Sequence, residues 1–506
     1  MERGVFWTFR SDFRTMSTMS GNTKRHPRSQ ASVERGESTW RGALRSRVRG
    51  ALWLGFFVGV AALTLLSIAE GGAPSMAFLA WGPSSVEERQ EARASAPVPV
   101  VRSYDKDEDA PAVNDVPGPL QPAVASSQAP IAPAAVPAAP VEHAWTLPSK
   151  SIDPSLGEVR DGRLVQTLND GVDIEFTLEP TLQEAAKAEL SRYGVEHGSI
   201  VALDPVTGEL LAYAEHAEGK PGLRHLAVQA NGPAASIFKL VTTTALLENG
   251  LTPASEICTR GGLRKLTLNH LRADAARDKR CETLKEAFGA STNAAYARWS
   301  DQLLDSSKLN ETAGRYLFGR RIPFVYGVGV SALSLPKGSR LGFAKAAAGF
   351  SRTSLSPLHA AMMAGAVANG GKMMAPRLVR RASRGGAVLY EAATAELASV
   401  MSADTARSLT DIMLSTTTTG TAKKFFIKNG REKIPGVAFA AKTGHLSGGE
   451  GLHGHYSWFV AFAPAEEPEV AVSALVVNGE VWTTKGAVVA QRFLSSYFKS
   501  RYRAAQ

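Results

Sequence analysis

The stretch AASIFKL, Ala234 to Leu240, places Ser236 three residues before Lys239. On a helix those two positions share a face, so hydroxyl and amine can meet. A serine hydroxyl is a weak nucleophile until a base takes its proton. Lysine becomes such a base when burial and nearby positive charge lower its pKa. A helix N-terminus adds positive potential that can steady an oxyanion. The same residues also suit an ordinary capped helix. The spacing recurs at Ser334–Lys337, interrupted by Pro336, and at Ser496–Lys499, in an exposed-looking last helix.

Two further stretches carry chemistry. GASTNAAYARW supplies Ser291 and Asn293 at the start of another expected helix, and VAFAAKTGHL supplies Lys442, Thr443, Gly444 and His445 on an expected strand. The chain has two cysteines, Cys258 and Cys281. Outside the cytoplasm such a pair should be oxidised; the alternative is two inert buried thiols. His270 lacks the spacing of a zinc ligand. His453 and His455, with no cysteine or carboxylate beside them, read as a solvated loop rather than a metal site. No cofactor or metal is expected.

The elements that position these residues begin near Lys150. GVDIEFTLEPTLQEAAKAELSRY reads as a strand and a helix opened by Pro180, and GSIVALDPVTGELLAYAEH as two strands joined by a turn at Asp204–Gly208. AMMAGAVANGG is a glycine-stopped helix. YSWFVAFAPAEEPEVAVSALVVNGE is two long apolar strands, and GAVVAQRFLSSYFKSRYR is a closing helix. Helices and antiparallel hairpins segregated along the chain predict an α+β domain over 149–506.

The first 148 residues have a different character. The formal charge of the 506-residue chain is +10, and much of it lies in residues 1–50, ending in Arg41, Arg45, Arg47 and Arg49. The uncharged run Ala51 to Ala69 rises about 28 Å as a helix, enough to cross a bilayer core. With arginines on one side only, residues 1–50 read as a cytoplasmic tail and 51–70 as a single transmembrane anchor. A cleaved signal peptide, with Gly71–Ala73 near its cut, and a buried core helix are the alternatives. The basic tail is read as orienting the anchor rather than binding nucleic acid. Residues 71–148, rich in Pro and Ala, read as a disordered tether.

The ordered set Ser236-x-x-Lys239, Ser291-x-Asn293, Lys442-Thr443-Gly444 resembles the signature of the penicillin-recognising acyl-serine enzymes. Over roughly residues 170–500 the chain is similar to the transpeptidase domain of penicillin-binding proteins, through DIEFTLEPTLQEAAKAEL, SRTSLSPLHAAMMAGAVANGGKMMAPRLVRR and STTTTGTAKKF among others. The resemblance implies a five-stranded antiparallel sheet flanked by helices, with an all-helical subdomain and the active site between them. It implies a membrane-anchored peptidoglycan D,D-transpeptidase without a glycosyltransferase domain, facing the periplasm.

By that resemblance Ser236 attacks the carbonyl between two D-alanines of a stem peptide, with Lys239 as base. Ser291 relays a proton to the departing D-alanine. Asn293 binds the substrate backbone and orients Lys239, while Lys442 and Thr443 engage the terminal carboxylate. Gly444 lets substrate lie against the strand, and the amides of Ser236 and His445 form the oxyanion hole. β-Lactams are the implied inhibitors, and other cell-wall synthesis proteins are possible partners.

Two departures stand out. NGPAAS replaces the usual proline-glycine before the nucleophile, and His445 replaces a hydroxyl residue. Its imidazole, charged or donating a hydrogen bond, would add a pH dependence near ~6.5, unless it points away from the cleft. A D,D-carboxypeptidase, a β-lactamase-like hydrolase or sensor, and a non-catalytic cell-wall-binding relative remain as alternatives. The ExxLN pattern of class A hydrolases is absent, and Asn293 departs from the class D pattern. A sensor would need a cytoplasmic effector longer than residues 1–50.

Overall fold

The computed structural model describes residues 146–504, apart from 218–224, 263–264, 351 and 449–453. The basic tail, the apolar run, all but the last three residues of the tether, and His453 lie outside the described residues. Among those described, no helix is long and apolar enough to cross a membrane.

Five strands form the central sheet: β1 (His197–Leu203), β2 (Leu210–Ala217), β3 (Ala440–Ser447), β4 (His455–Ala463) and β5 (Val470–Asn478). Their order is β3-β4-β5-β1-β2, and every neighbouring pair is antiparallel. β4 and β5 read as unbroken apolar runs because both faces of the sheet are covered. Trp458, Val460 and Phe462 point into one hydrophobic core, and Phe459, Ala461 and Ala463 into the other.

Five helices matter for the site: α1 (Lys239–Glu248), α2 (Asn293–Leu303), α3 (Pro357–Ala368), α4 (Ala403–Thr418) and α5 (Gly486–Ala504). α3 packs on β1, β4 and β5. Ser356 caps it through the His359 amide and Pro357 opens it, an arrangement that satisfies the first turn's free donors. α5 is not the exposed helix its sequence suggested. Val489, Phe493, Leu494, Tyr497 and Phe498 are buried on β4, β5 and the Pro180–Ser191 helix. Its Ser496 Oγ bonds back to the Arg492 carbonyl, and Ser334–Lys337 is not helical.

The expected all-helical subdomain also needs correction. Beside α1, α2 and α4 it holds a hairpin, Glu256–Thr259 against Arg280–Thr283, with Cys258 directly opposite Cys281 and bonded to it. The two-free-thiols alternative is therefore overturned. The hairpin escapes notice in the sequence because its strands are four residues each and mostly polar.

A second five-stranded antiparallel sheet is likewise absent from the sequence reading. It runs Glu158–Arg160, Arg163–Thr167, Asp173–Phe176, Val379–Arg384, Ala387–Glu391. Ion pairs such as Arg160–Asp173 and Arg381–Glu391 lace its surface, and it leaves little apolar periodicity to detect.

Candidate active site

The chain reaches Ser236 through a short bridge, Gly232–Pro233 paired with Ser354–Leu355. A 3-10 turn, Ala235–Phe238, then runs into α1. In a 3-10 turn residues i and i+3 eclipse each other, which brings Ser236 and Lys239 onto one face. Ser236 makes no cap. Its Oγ lies 3.0 Å from Lys239 Nζ, so the capped-helix alternative fails on geometry. Ala235 holds a φ of 48°, a left-handed conformation that costs a non-glycine residue about 1–2 kcal/mol. That is the physical content of the missing glycine in NGPAAS: alanine carries the strain of a left-handed turn.

Lys239 is 0% exposed. Its Nζ also lies 2.7 Å from Asn293 Oδ1 and 2.6 Å from the Ala348 carbonyl. Burial, and then the nearby Lys442 charge, pull its pKa well below the ordinary lysine value. A neutral amine has two N–H donors and one lone pair. Asn293 and Ala348 can only accept from it, so the lone pair is left facing the Ser236 hydroxyl. The Tyr296 ring lies 5.2 Å below the same nitrogen.

Ser291 sits in the turn before α2, also left-handed at φ 57°. Lys442 Nζ donates to Ser291 Oγ at 2.9 Å and to the Thr443 carbonyl at 2.8 Å. Lys442 is fully buried, and burial brings its pKa down to about 7. It is therefore about half charged at neutral pH, less than a lysine recruited for its positive charge would be in water.

Side chains alternate along β3, so Lys442 and Gly444 share one face while Thr443 and His445 share the other. Gly444 has a neighbour other than substrate. A Cβ there would lie 3.1 Å from Ile237 Cγ1 and 3.2 Å from Trp458 Cβ. Glycine at this position admits the turn that carries Ser236. β3 is an edge strand, so one row of its backbone groups remains for another chain.

His445 lines the same cleft as Ser236, together with Asn293, Gly349, Phe350 and Leu446. Its Nδ1 lies 3.1 Å from the Tyr456 carbonyl. That oxygen only accepts, so the proton of the neutral ring sits on Nδ1 and Nε2 is an acceptor. The expectation that a neutral His445 donates into the cleft is thereby reversed. Burial lowers its pKa, the Tyr456 bond pulls the other way, and His455 and Lys485 push it down. His455 is not in a loop. It starts β4, bonds Ser447 Oγ through Nδ1 at 2.8 Å and stacks on Trp482.

Several site groups carry no signal in the sequence. The Ala348 carbonyl is a backbone atom. Gly349 is required because a Cβ there would fall 2.2 Å from the Ala235 carbonyl oxygen; the lone glycine in AAAGF is its only trace. Thr421 Oγ1 lies 2.6 Å from Thr443 Oγ1. Among the described residues no group of three or more His, Cys, Asp or Glu is placed to hold a metal ion.

A buried lysine on a half-buried serine, beside a second such pair, between a helical unit and the edge of a five-stranded sheet, defines a class of acyl-transfer site. Residues 198–498 match the penicillin binding protein transpeptidase domain, and the chain belongs to that family. The peptidoglycan D,D-transpeptidase PbpA of Mycobacterium tuberculosis is 29% identical over 360 residues, covering 63% of this chain and 70% of that protein. The PbpA of Mycolicibacterium smegmatis is 27% identical over 355 residues with the same coverage. Among solved structures, the D,D-transpeptidase domain of a peptidoglycan glycosyltransferase from Eggerthella lenta superposes with a TM-score of 0.56 at 26% identity, covering 66% of this chain and 85% of that one. The imipenem acyl-enzyme complex of penicillin-binding protein A from M. tuberculosis gives 0.55 at 25% identity, covering 67% and 81%.

Proposed function

We propose that this chain is a peptidoglycan D,D-transpeptidase that works through an acyl-enzyme on Ser236 and is acylated there by β-lactams. The observation that carries this reading is the 3.0 Å approach of Lys239 Nζ to Ser236 Oγ in a site whose burial pulls the amine's pKa well below the ordinary lysine value.

Lys239 takes the Ser236 proton as Oγ bonds to the carbonyl carbon between the two D-alanines. The oxyanion is held by the backbone amides of Ser236 and His445. The C–N bond then breaks. The departing D-alanine amine receives a proton by way of Ser291, which Lys442 holds in place. Asn293 binds the peptide backbone and keeps Lys239 aimed. Thr443 and the charged fraction of Lys442 hold the terminal carboxylate. An amine from a neighbouring stem peptide attacks the ester, returns the proton to Ser236 and leaves a cross-link.

The same reading places residues 51–69 across the cytoplasmic membrane and the folded domain outside it. The Cys258–Cys281 bond suits an oxidising compartment.

Intact-mass measurement after incubation with penicillin tests the proposal. The wild-type chain should gain one penicillin mass and Ser236→Ala none. Labelling that persists in Ser236→Ala would overturn the assignment. Adding an acceptor amine to a donor peptide then separates cross-linking from hydrolysis.

A further inference from the structure

The cleft that holds Ser236 continues into a second recess of about 490 Å³. Phe350, Leu446 and Ser447 line both. The recess follows the end of β3 and reaches Gly448, the residue after it. Thr443 lies toward the other end of the strand. On the transpeptidase reading, the donor's terminal carboxylate sits at Thr443 and its scissile carbonyl at the His445 amide. Going on along β3 in that direction therefore leads toward the donor's N-terminus. An extended chain advances about 3.4 Å per residue. The residue before the two D-alanines thus comes beside Leu446 and Ser447, where the recess opens.

The lining there is neutral but for one residue. Among the described residues that line it, Arg352 alone is charged; its neighbours are small or uncharged, such as Ser334, Thr353 and Ser354. Arg352 is exposed, but its backbone is pinned. Its φ is 64°, a left-handed conformation that residues other than glycine resist. Its carbonyl accepts from the Ser334 amide at 2.8 Å. The next carbonyl, of Thr353, accepts at 3.3 Å from the amide of Ala234, two residues before the nucleophile. Thr353 also pairs with Leu333. The segment that presents the guanidinium is therefore tied to the turn that presents Ser236. Ala235 and Ser291, at the same cleft, share the left-handed backbone, and strain of this kind gathers where a group must be held in place.

We propose that this recess is the subsite for the donor peptide on the N-terminal side of the two D-alanines, and that Arg352 there selects stem peptides whose preceding residue carries a side-chain carboxylate. The proposal rests on the transpeptidase reading. A guanidinium offers a planar fork that a carboxylate meets with two parallel bonds. A carboxamide presents one oxygen and no charge. Among the described lining residues no acid is present to occupy the fork instead.

Two N-acetylated tripeptides ending in D-Ala-D-Ala test this. The first residue bears a side-chain carboxylate in one and the matching carboxamide in the other. Binding is measured on the full-length chain carrying Ser236→Ala, so that turnover does not enter. The carboxylate peptide should bind about tenfold more tightly, and the margin should shrink from low to physiological salt. Adding Arg352→Gln should bring the two peptides level. Arg352→Lys, which keeps the charge and loses the fork, should keep part of the margin. An unchanged unfolding temperature shows that the variants are folded. Equal binding of both peptides by the parent chain, binding of neither, or a margin that survives Arg352→Gln would overturn the subsite. Penicillin labelling of the Ser236-containing chain is read separately. Its absence strikes the transpeptidase reading, whereas the peptide comparison strikes this subsite.

Discussion

Arg298 is 2% exposed, and Lys239 and Lys442 are 0% exposed, yet the protein surrounds them differently. Arg298, in α2, bonds Asp278 and the carbonyls of His270, Cys258 and Arg272. Burial alone would raise Asp278. The bonds from Arg298, the Asp274 amide and Arg260 outweigh it and bring that carboxyl to about 2. The two lysines, on α1 and on β3, meet only neutral oxygens. A buried cation with a carboxylate stays charged and holds structure together. One without a carboxylate has its pKa pulled down, toward the range where it can act as a base. Each site's partners, more than its depth, decide which outcome follows.

The largest expected effect breaks the reactive side. Lys239→Met should slow penicillin acylation by about 10²–10⁴-fold without lowering the unfolding temperature. A slow variant that is also less stable would mean the amine was structural.

On the structural side, Arg298→Met takes from Asp278 its buried cation, leaving Arg260 and the Asp274 amide, and unpairs three carbonyls; it should cost about 3 kcal/mol in chemical denaturation. Adding Asp278→Leu should recover only the part that comes from the carboxylate. Because the folded pKa of Asp278 is depressed, its contribution is present above ~3.9 and is lost as pH falls toward about 2.

Ser236, Lys239, Ser291, Asn293 and the Lys442–Gly444 motif were legible because few residue types do this chemistry and their order is informative. The central strands were legible because a sheet covered on both faces needs long apolar runs. Arg298 was not, since in NAAYARW it looks like any helix arginine and its partner lies in a polar loop. The Ala348 carbonyl, Thr421 and Trp482 act through placement rather than type. The second sheet is too short-stranded and too charged to show a period.

A smaller effect concerns the Cys258–Cys281 bond, whose neighbouring Cys258 carbonyl receives Arg298. It closes a 23-residue separation, so Cys258→Ser/Cys281→Ser should cost about 3 kcal/mol. If the Arg298 network and the disulfide form one structural unit, losses from Arg298→Met and the serine pair should fall short of additive.

The smallest effect has the opposite sign. A lysine whose folded pKa is lowered binds fewer protons than the unfolded chain between the two values, so stability rises with pH across that window. For Lys442 the window runs from about 7 to the unfolded value of ~10.4. Lys442→Met should remove that rise. At neutral pH it should gain about 1–2 kcal/mol net of the two lost hydrogen bonds, at the expense of acylation. A pH-independent difference between the two proteins would mean that Lys442 keeps its proton.

The open edge at β3 has a consequence for what the enzyme can be fooled by. Groups along a strand edge are main-chain amides and carbonyls, so a ligand docked there is measured by the spacing of its own amide, carbonyl and carboxylate. Side chains on the ligand are read separately, by the pockets they enter. Substitutions in the substrate peptide leave the main-chain spacing unchanged. By the same indifference, a small rigid molecule with an amide, a reactive carbonyl and a carboxylate at the right separation passes as a peptide end. A counterfeit that reacts faster than it is released occupies the nucleophile for as long as the ester lasts.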